Sequence, residues 1–173
     1  QWLYDVVVAK FDQYGAAGFI TFLLIEMTVM IICMWKFLGF RKVNKWFRVL
    51  LIGFILMYCQ SYMFSLRPEL ITMILLLVEC IGFEKYRDTG KFGWLLLFPL
   101  SVFLEINFHG AMWMFHFAML AAYVVYSFYV PGSRHDNLNI KDVKVWIATL
   151  LSVVLLFVNP YGTEMITYVA DAY

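Results

Sequence analysis

Apolar residues fall along this chain in long unbroken runs, separated by short polar stretches. Runs of that length, with no alternation at a period of two, predict helices rather than strands. The first run covers residues 16–38 and the second 47–66, and each is long enough to cross a hydrocarbon layer. Four more follow at 69–83, 94–106, 111–130 and 145–158, of which 111–130 is full length. Runs of about 13–15 residues cover only about 20–22 Å, against a hydrocarbon core of roughly 30 Å. Their helices must extend into polar flanks or end inside protein-lined cavities. Pro68 stands where the third run begins, a residue suited to the first turn of a helix. Residues 1–15 read as a separate amphipathic helix at the membrane interface, with Trp2, Leu3, Val6, Val7 and Phe11 on one face and Asp5 and Asp12 elsewhere. The pattern predicts an all-α, polytopic integral membrane protein. It forms one transmembrane domain over 1–173, with about six spanning helices and an N-terminal interfacial helix.

Composition supports that class. Apolar residues make up 64% of the chain, charged residues 14%, and mean hydropathy is +0.79. A soluble domain averages about 45–50% apolar and about 25% charged. Aromatic residues are 20% of the chain, many of them near run ends, as in interfacial belts. The net charge of +1 gives no reason to expect nucleic acid as a partner; the lipid bilayer is the partner expected. Cys33, Cys59 and Cys80 all lie inside apolar runs, with neither metal-site spacing nor a disulfide framework, and read as small core residues. The chain opens on Gln1 without a signal-peptide pattern and ends on Tyr173, and is expected to be part of a longer protein.

The basic residues then set an orientation. Lys36, Arg41, Lys42, Lys45 and Arg48 surround the first connection, Lys85, Arg87 and Lys91 the third, and Arg134, Lys141 and Lys144 the fifth. These alternate connections hold all but Lys10 and Arg67 of the 13 basic residues. The positive-inside rule places them in the cytoplasm, in a multi-pass cell-membrane protein. Three polar signatures therefore face the extracytoplasmic side: Arg67-Pro68-Glu69, Asn107-Phe108-His109-Gly110 and Asn159-Pro160-Tyr161-Gly162. Asp5 falls on that side too.

Polar groups gathered on one membrane face read as a site. Arg67 breaks the charge pattern, and its guanidinium matches phosphate oxygens bidentately. The alternative is a snorkelling arginine or one paired with Glu69, whose carboxylate suits a helix N-terminus. Glu105, Asn107 and His109 lie within five residues of one another, a set suited to hydroxyl recognition or proton transfer. Turn chemistry is the plainer reading. His116 falls seven residues on, on the same helical face as His109, and reads as a packed core histidine. Asn159 and Tyr161 belong to a turn by composition. Glu26 and Glu79 lie inside runs, where an acid is either functional or a protonated helix–helix hydrogen bond, and the latter is favoured. The stretch 131–144 carries no motif. No metal-binding or phosphate-loop motif is present, and no cofactor is evident.

The order of these signatures resembles that of bacterial polytopic proteins related to the GT-C glycosyltransferases. Members carry a Trp-Leu segment near a surface helix, here Gln1-Trp2-Leu3-Tyr4-Asp5, then an Arg-Pro pair opening a helix, here Arg67-Pro68-Glu69. An Asn-x-His-Gly break and an Asn-Pro-Tyr-Gly turn follow, matched at Asn107 to Gly110 and at Asn159 to Gly162. The resemblance covers nearly the whole chain. It departs at Glu105-Ile106, where the family's pattern is an apolar pair such as Trp-Ala.

The resemblance implies transfer of a sugar from a polyprenyl-phosphate-linked donor on the extracytoplasmic face. An acid in the first outer loop, upstream of Gln1, would serve as base, with a divalent metal in some members. Arg67 would contact the donor phosphate, and Asn107, His109, Glu105, Asn159 and Tyr161 would line the substrate site. His109 is a candidate catalytic group and Asp5 a reserve base. The fragment alone is expected to be inactive. The rivals are a transporter or lipid-binding protein using the same outward cavity, in which Glu26 and Glu79 matter, and a structural membrane subunit.

Overall fold

The computed structural model describes residues 2–58, 67–129, 137–165 and 167. Gln1, Cys59 with the rest of the second run, Val130, Arg134 and Tyr173 lie outside the described residues. Among the described residues the chain is helical, without strands. The helices are α1 (Trp2–Asp12), α2 (Gly15–Phe40), α3 (Lys45–Tyr58), α4 (Glu69–Thr89), the short α5 (Phe92–Leu95), α6 (Leu97–Phe108), α7 (Trp113–Tyr129) and α8 (Val143–Leu155). Only α2, among the described residues, is by itself long and apolar enough to cross a membrane.

Helix α4 forms the centre of the bundle, packed against α2, α5, α6 and α7. It follows Pro68, whose φ of −64° fits helical backbone, and it outlasts its apolar run, continuing past Phe83 through Glu84, Lys85 and Arg87. It stops at Gly90, where φ is +63° and the amide bonds the Tyr86 carbonyl at 2.8 Å. Glycine takes this left-handed backbone without the Cβ clash that other residues meet. The short fourth run also lengthens into its flanks, beginning at Phe92 as α5 and continuing almost at once as α6.

Two apolar cores fill the bundle. Met30, Met34, Ile52 and Leu70 join α2, α3 and α4. Phe83, Leu95, Phe98, Val102, Ile106 and Leu120 join α4 to α7, with Phe83 5.9 Å from Phe98 and 5.1 Å from Tyr123 between ring centroids. The end that carries the basic connections is fastened by polar bonds. Arg41 meets Glu84 at 2.9 Å, Tyr86 donates to Asp142, Asn137 Nδ2 donates to the Arg87 carbonyl at 3.0 Å, and Lys144 Nζ to that of Gly90 at 3.1 Å.

Alongside these apolar cores, the bundle exposes large apolar surfaces and buries several polar side chains. Large apolar side chains are exposed along α2 (Ile20, Leu24, Ile25, Ile32), α3 (Phe47, Leu50, Phe54) and α8 (Trp146, Ile147, Leu150, Val154). Glu26, Thr72, Glu79, Ser101, Glu105, Asn107 and His116 are buried.

Helix α1 lies against α2 and α6 through Tyr4, whose ring meets Phe22 edge-on at 5.9 Å. Val6, expected on the apolar face, is exposed instead, because the buried face centres on Tyr4. The contact depends on Gly18, where a Cβ would lie 1.9 Å from the Phe11 carbonyl oxygen. Backbone cannot give way as a flexible side chain can. Gly18→Ala is therefore expected to displace α1 and cost about 1–3 kcal/mol, while Gly53→Ala, whose added Cβ meets no atom within 4 Å, is tolerated. Thermal unfolding of both variants in detergent checks this.

Candidate functional site

At the end of the bundle opposite the basic connections, α6 finishes and the chain reverses into α7. The amides of His109 and Gly110 both return to the Glu105 carbonyl, at 2.9 and 2.8 Å, and Gly110 takes a φ of +68°. That turn holds the His109 ring beside α4. The Thr72 hydroxyl, in the first turns of α4, bonds Glu105 Oε1 at 2.9 Å and lies 3.0 Å from His109 Nδ1. His109 Nδ1 is itself 3.6 Å from Glu105 Oε1.

The polar chain continues inward. Glu79 is seven residues beyond Thr72, two helical turns further along the same face of α4. Its Oε2 lies 2.5 Å from His116 Nδ1, and His116 Nε2 lies 3.6 Å from Glu105 Oε2. Glu79, Glu105 and His116 have fully buried side chains, whereas that of His109 is 10% exposed. Five side chains from α4, the α6 terminus and α7 thus run from the bundle's end to its interior. Among the described residues Glu79 Oε1, Glu105 Oε2 and His116 Nε2 have no hydrogen-bond partner. Such atoms have unused hydrogen-bonding capacity, and burying them without a partner is costly.

The sequence signatures take different roles around this chain. Asn107 is buried with its amide engaged: Nδ2 donates to the Phe103 and Val158 carbonyls at 2.8 and 3.0 Å, and Oδ1 accepts from the Trp2 indole at 3.1 Å. It is a strut joining α1, α6 and the segment after α8, rather than a group turned toward a ligand. Asn159 likewise closes its own turn, donating to the Leu156 and Gly162 carbonyls and accepting from the Tyr161 amide at 2.9 Å. Tyr161 is exposed, as are Arg67 just before α4 and Asp5 on α1. Gly110 packs against Met165, so the break after α6 touches the segment that follows the Asn159 turn.

Glu26 is buried in α2, and neither oxygen has a hydrogen-bond partner among the described residues. It does not form the helix–helix bond expected of it, whereas Glu79 does, with His116. The Tyr4 phenol is held above its ordinary pKa by burial first, then by Glu26, Glu69 and Asp5, which places Tyr4 near all three acids. His116 does not share a helical face with His109 as expected. The turn at Gly110 puts His109 at the end of α6 and His116 inside α7. Cys33 and Cys80 are buried free thiols.

Sequence reasoning missed Thr72, which links His109 to Glu105. Its one signal was the seven-residue spacing to Glu79. Among the described residues no three His, Cys, Asp or Glu are grouped to hold a metal ion, and Glu79 Oε2 is engaged by His116 Nδ1. No protein-family model, curated protein sequence or solved structure matches this chain.

The Glu79–His116 contact generates a stability prediction. His116→Ala leaves the buried Glu79 carboxyl group without its partner and is expected to cost about 3–5 kcal/mol. Glu79→Leu combined with His116→Phe removes both polar partners and restores most of that loss. Unfolding midpoints of the single and double variants in detergent give the comparison.

Proposed function

We propose that this chain belongs to a polytopic membrane glycosyltransferase of the GT-C type, acting at the extracytoplasmic face on a polyprenyl-phosphate-linked sugar. The membrane part of the reading is supported by the exposed apolar surfaces of α2, α3 and α8 and the polar interior. Soluble proteins expose scattered apolar residues, whereas contiguous apolar surfaces on several helices suit lipid. The shorter apolar helices at 92–108, 113–129 and 143–155 are the further spans of this reading, while among the described residues α2 alone is by itself long and apolar enough to cross.

One observation carries the glycosyl-transfer reading. Signatures far apart in the chain close on one end of the bundle: the Trp2 indole bonds Asn107, Asn107 bonds the Val158 carbonyl beside Asn159, and His109 meets the helix that Arg67 and Pro68 open. The basic connections lie at the other end.

In this mechanism exposed Arg67 binds the donor phosphate and stabilises charge on the leaving group as the glycosyl bond breaks. His109, the polar-chain member nearest the surface, handles the proton of the acceptor hydroxyl. Asn107 and the Asn159 turn hold the walls in place. A second reading, a proton-coupled transporter, draws on the buried Glu79–His116–Glu105 cluster, since coupling needs acids within the bundle.

The deciding measurement is turnover of lipid-linked sugar by the intact protein in vesicles. Arg67→Ala and His109→Ala are each expected to lower the rate by about 10²-fold or more. Rates equal to wild type in both folded variants remove them from the mechanism. Transport lost in Glu79→Gln and Glu26→Gln, with no sugar transfer by wild type, would select the transporter.

Orientation has its own check. A cysteine at position 67 is expected to react with a membrane-impermeant maleimide added outside intact cells, and one at position 91 only after the membrane is opened. The reverse pattern would invert the topology.

A further inference from the structure

The polar chain leading inward from His109 is longer than substrate binding requires, and its hydrogen-bond logic has a direction. The Thr72 hydroxyl owns one proton. Donated to Glu105 Oε1 at 2.9 Å, it leaves the Thr72 oxygen as an acceptor toward His109 Nδ1, 3.0 Å away. Nδ1 then carries the ring's hydrogen, and Nε2 of the neutral imidazole is the basic nitrogen. Beyond Glu105, its second oxygen lies 3.6 Å from His116 Nε2 without a hydrogen bond, and Glu79 holds the other side of that ring.

The geometry points to a proton shuttle in which His109, Thr72 and Glu105 carry the acceptor hydroxyl's proton away from the site and store it on Glu105. This inference rests on the glycosyl-transfer reading. As the acceptor oxygen bonds to the anomeric carbon, the sugar–phosphate C–O bond breaks, and its electron pair leaves on the lipid phosphate. The acceptor's proton moves to His109 Nε2. The Nδ1 proton passes to Thr72 Oγ, and the proton Thr72 held passes to Glu105 Oε1. One proton has entered, one rests on the carboxyl group, and His109 is neutral in its other tautomer. Return of the proton to solvent resets the chain.

His116 and Glu79 position Glu105: Glu79 Oε2 lies 2.5 Å from His116 Nδ1, and His116 Nε2 lies 3.6 Å from Glu105 Oε2. A low-dielectric interior favours a neutral carboxyl group over a charged one, so a proton delivered to Glu105 is held there. Among the described residues, the other ionisable groups around this end include Arg67 and Glu69 at the start of α4, Tyr4 and Asp5 on α1, Glu26 on α2, Tyr58 at the end of α3, and Tyr161 and Glu164 after α8. Helix α8 itself contributes only Lys144, at the far end on the Gly90 carbonyl.

The experiment uses the intact protein in lipid vesicles with two readouts. The first is the carboxylic acid C=O band in pH-difference infrared spectra. In a Glu26→Gln background, which removes the other buried carboxyl group without a partner, the band is expected with Arg67 intact or replaced by Ala, and lost on adding Glu105→Gln. The second is turnover of lipid-linked sugar. Thr72→Val, which keeps shape and removes the hydroxyl, is expected to lower kcat about 10²-fold with KM unchanged and to flatten the pH profile, and Thr72→Ser to restore both. Wild-type kcat in Thr72→Val, or a band that persists when Glu105→Gln is added to Glu26→Gln, overturns the shuttle even when the enzyme is active. A titrating Glu105 band in a protein that turns over no lipid-linked sugar would leave the proton store standing and remove the glycosyl-transfer reading.

Discussion

Glu105 imposes the constraint on which this end of the bundle depends. It sits in the last turns of α6 with its side chain fully buried, among helices whose outer surfaces are apolar. A carboxyl group in that position requires partners, because its alternative is an uncompensated polar group in a low-dielectric interior. The Thr72 hydroxyl of α4 bonds one of its oxygens, and the rings of His109 at the α6 terminus and His116 of α7 each lie 3.6 Å from the carboxyl group. Meeting that requirement fixes the register of α4 against α6. It also explains why the chain turns sharply at Gly110, since the turn must leave His109 beside Thr72 while α7 carries His116 inward.

The same economy of polar groups governs the rest of the bundle. At one end Arg41, Glu84, Tyr86, Asp142 and Lys144 fasten the helix termini to one another. At the other, Asn107 ties α1, α6 and the segment after α8. Between them the helices meet through methionine, leucine and phenylalanine. The apolar surfaces turned outward on α2, α3 and α8 then have only one consistent surrounding in the proposed reading, which is lipid. In that reading the fastening at both ends matters, because lipid offers no hydrogen bonds to polar groups that stray outward.

Glu26 stands apart from this scheme. It is buried with both oxygens unpartnered, close enough to Tyr4 to act on its phenol. It differs from Glu79 in having no base opposite it among the described residues.

How much of this was readable from the sequence follows from the range of each interaction. Helical class, the approximate places of the helices and the clustering of basic residues at one end are properties of local runs, and the chain specified them without reference to its fold. The extension of α4 to Thr89 and the return of residues 92–94 to helix were anticipated only in kind, because short apolar runs demand it without saying which flank yields. The roles of individual site residues were legible only in part. Glu105 and His109 stood out because ionisable groups are rare in apolar surroundings. Asn107 stood out for the same reason, yet its amide is consumed by Trp2, Phe103 and Val158. Thr72 was invisible, since a threonine in a helix is ordinary until a carboxylate and an imidazole from elsewhere meet its hydroxyl. The sequence by itself determined a helical chain of apolar runs joined by polar connections. Only the tertiary structure decided which polar groups are struts and which form a connected chain, because hydrogen bonds depend on ångström-scale approach between residues tens of positions apart.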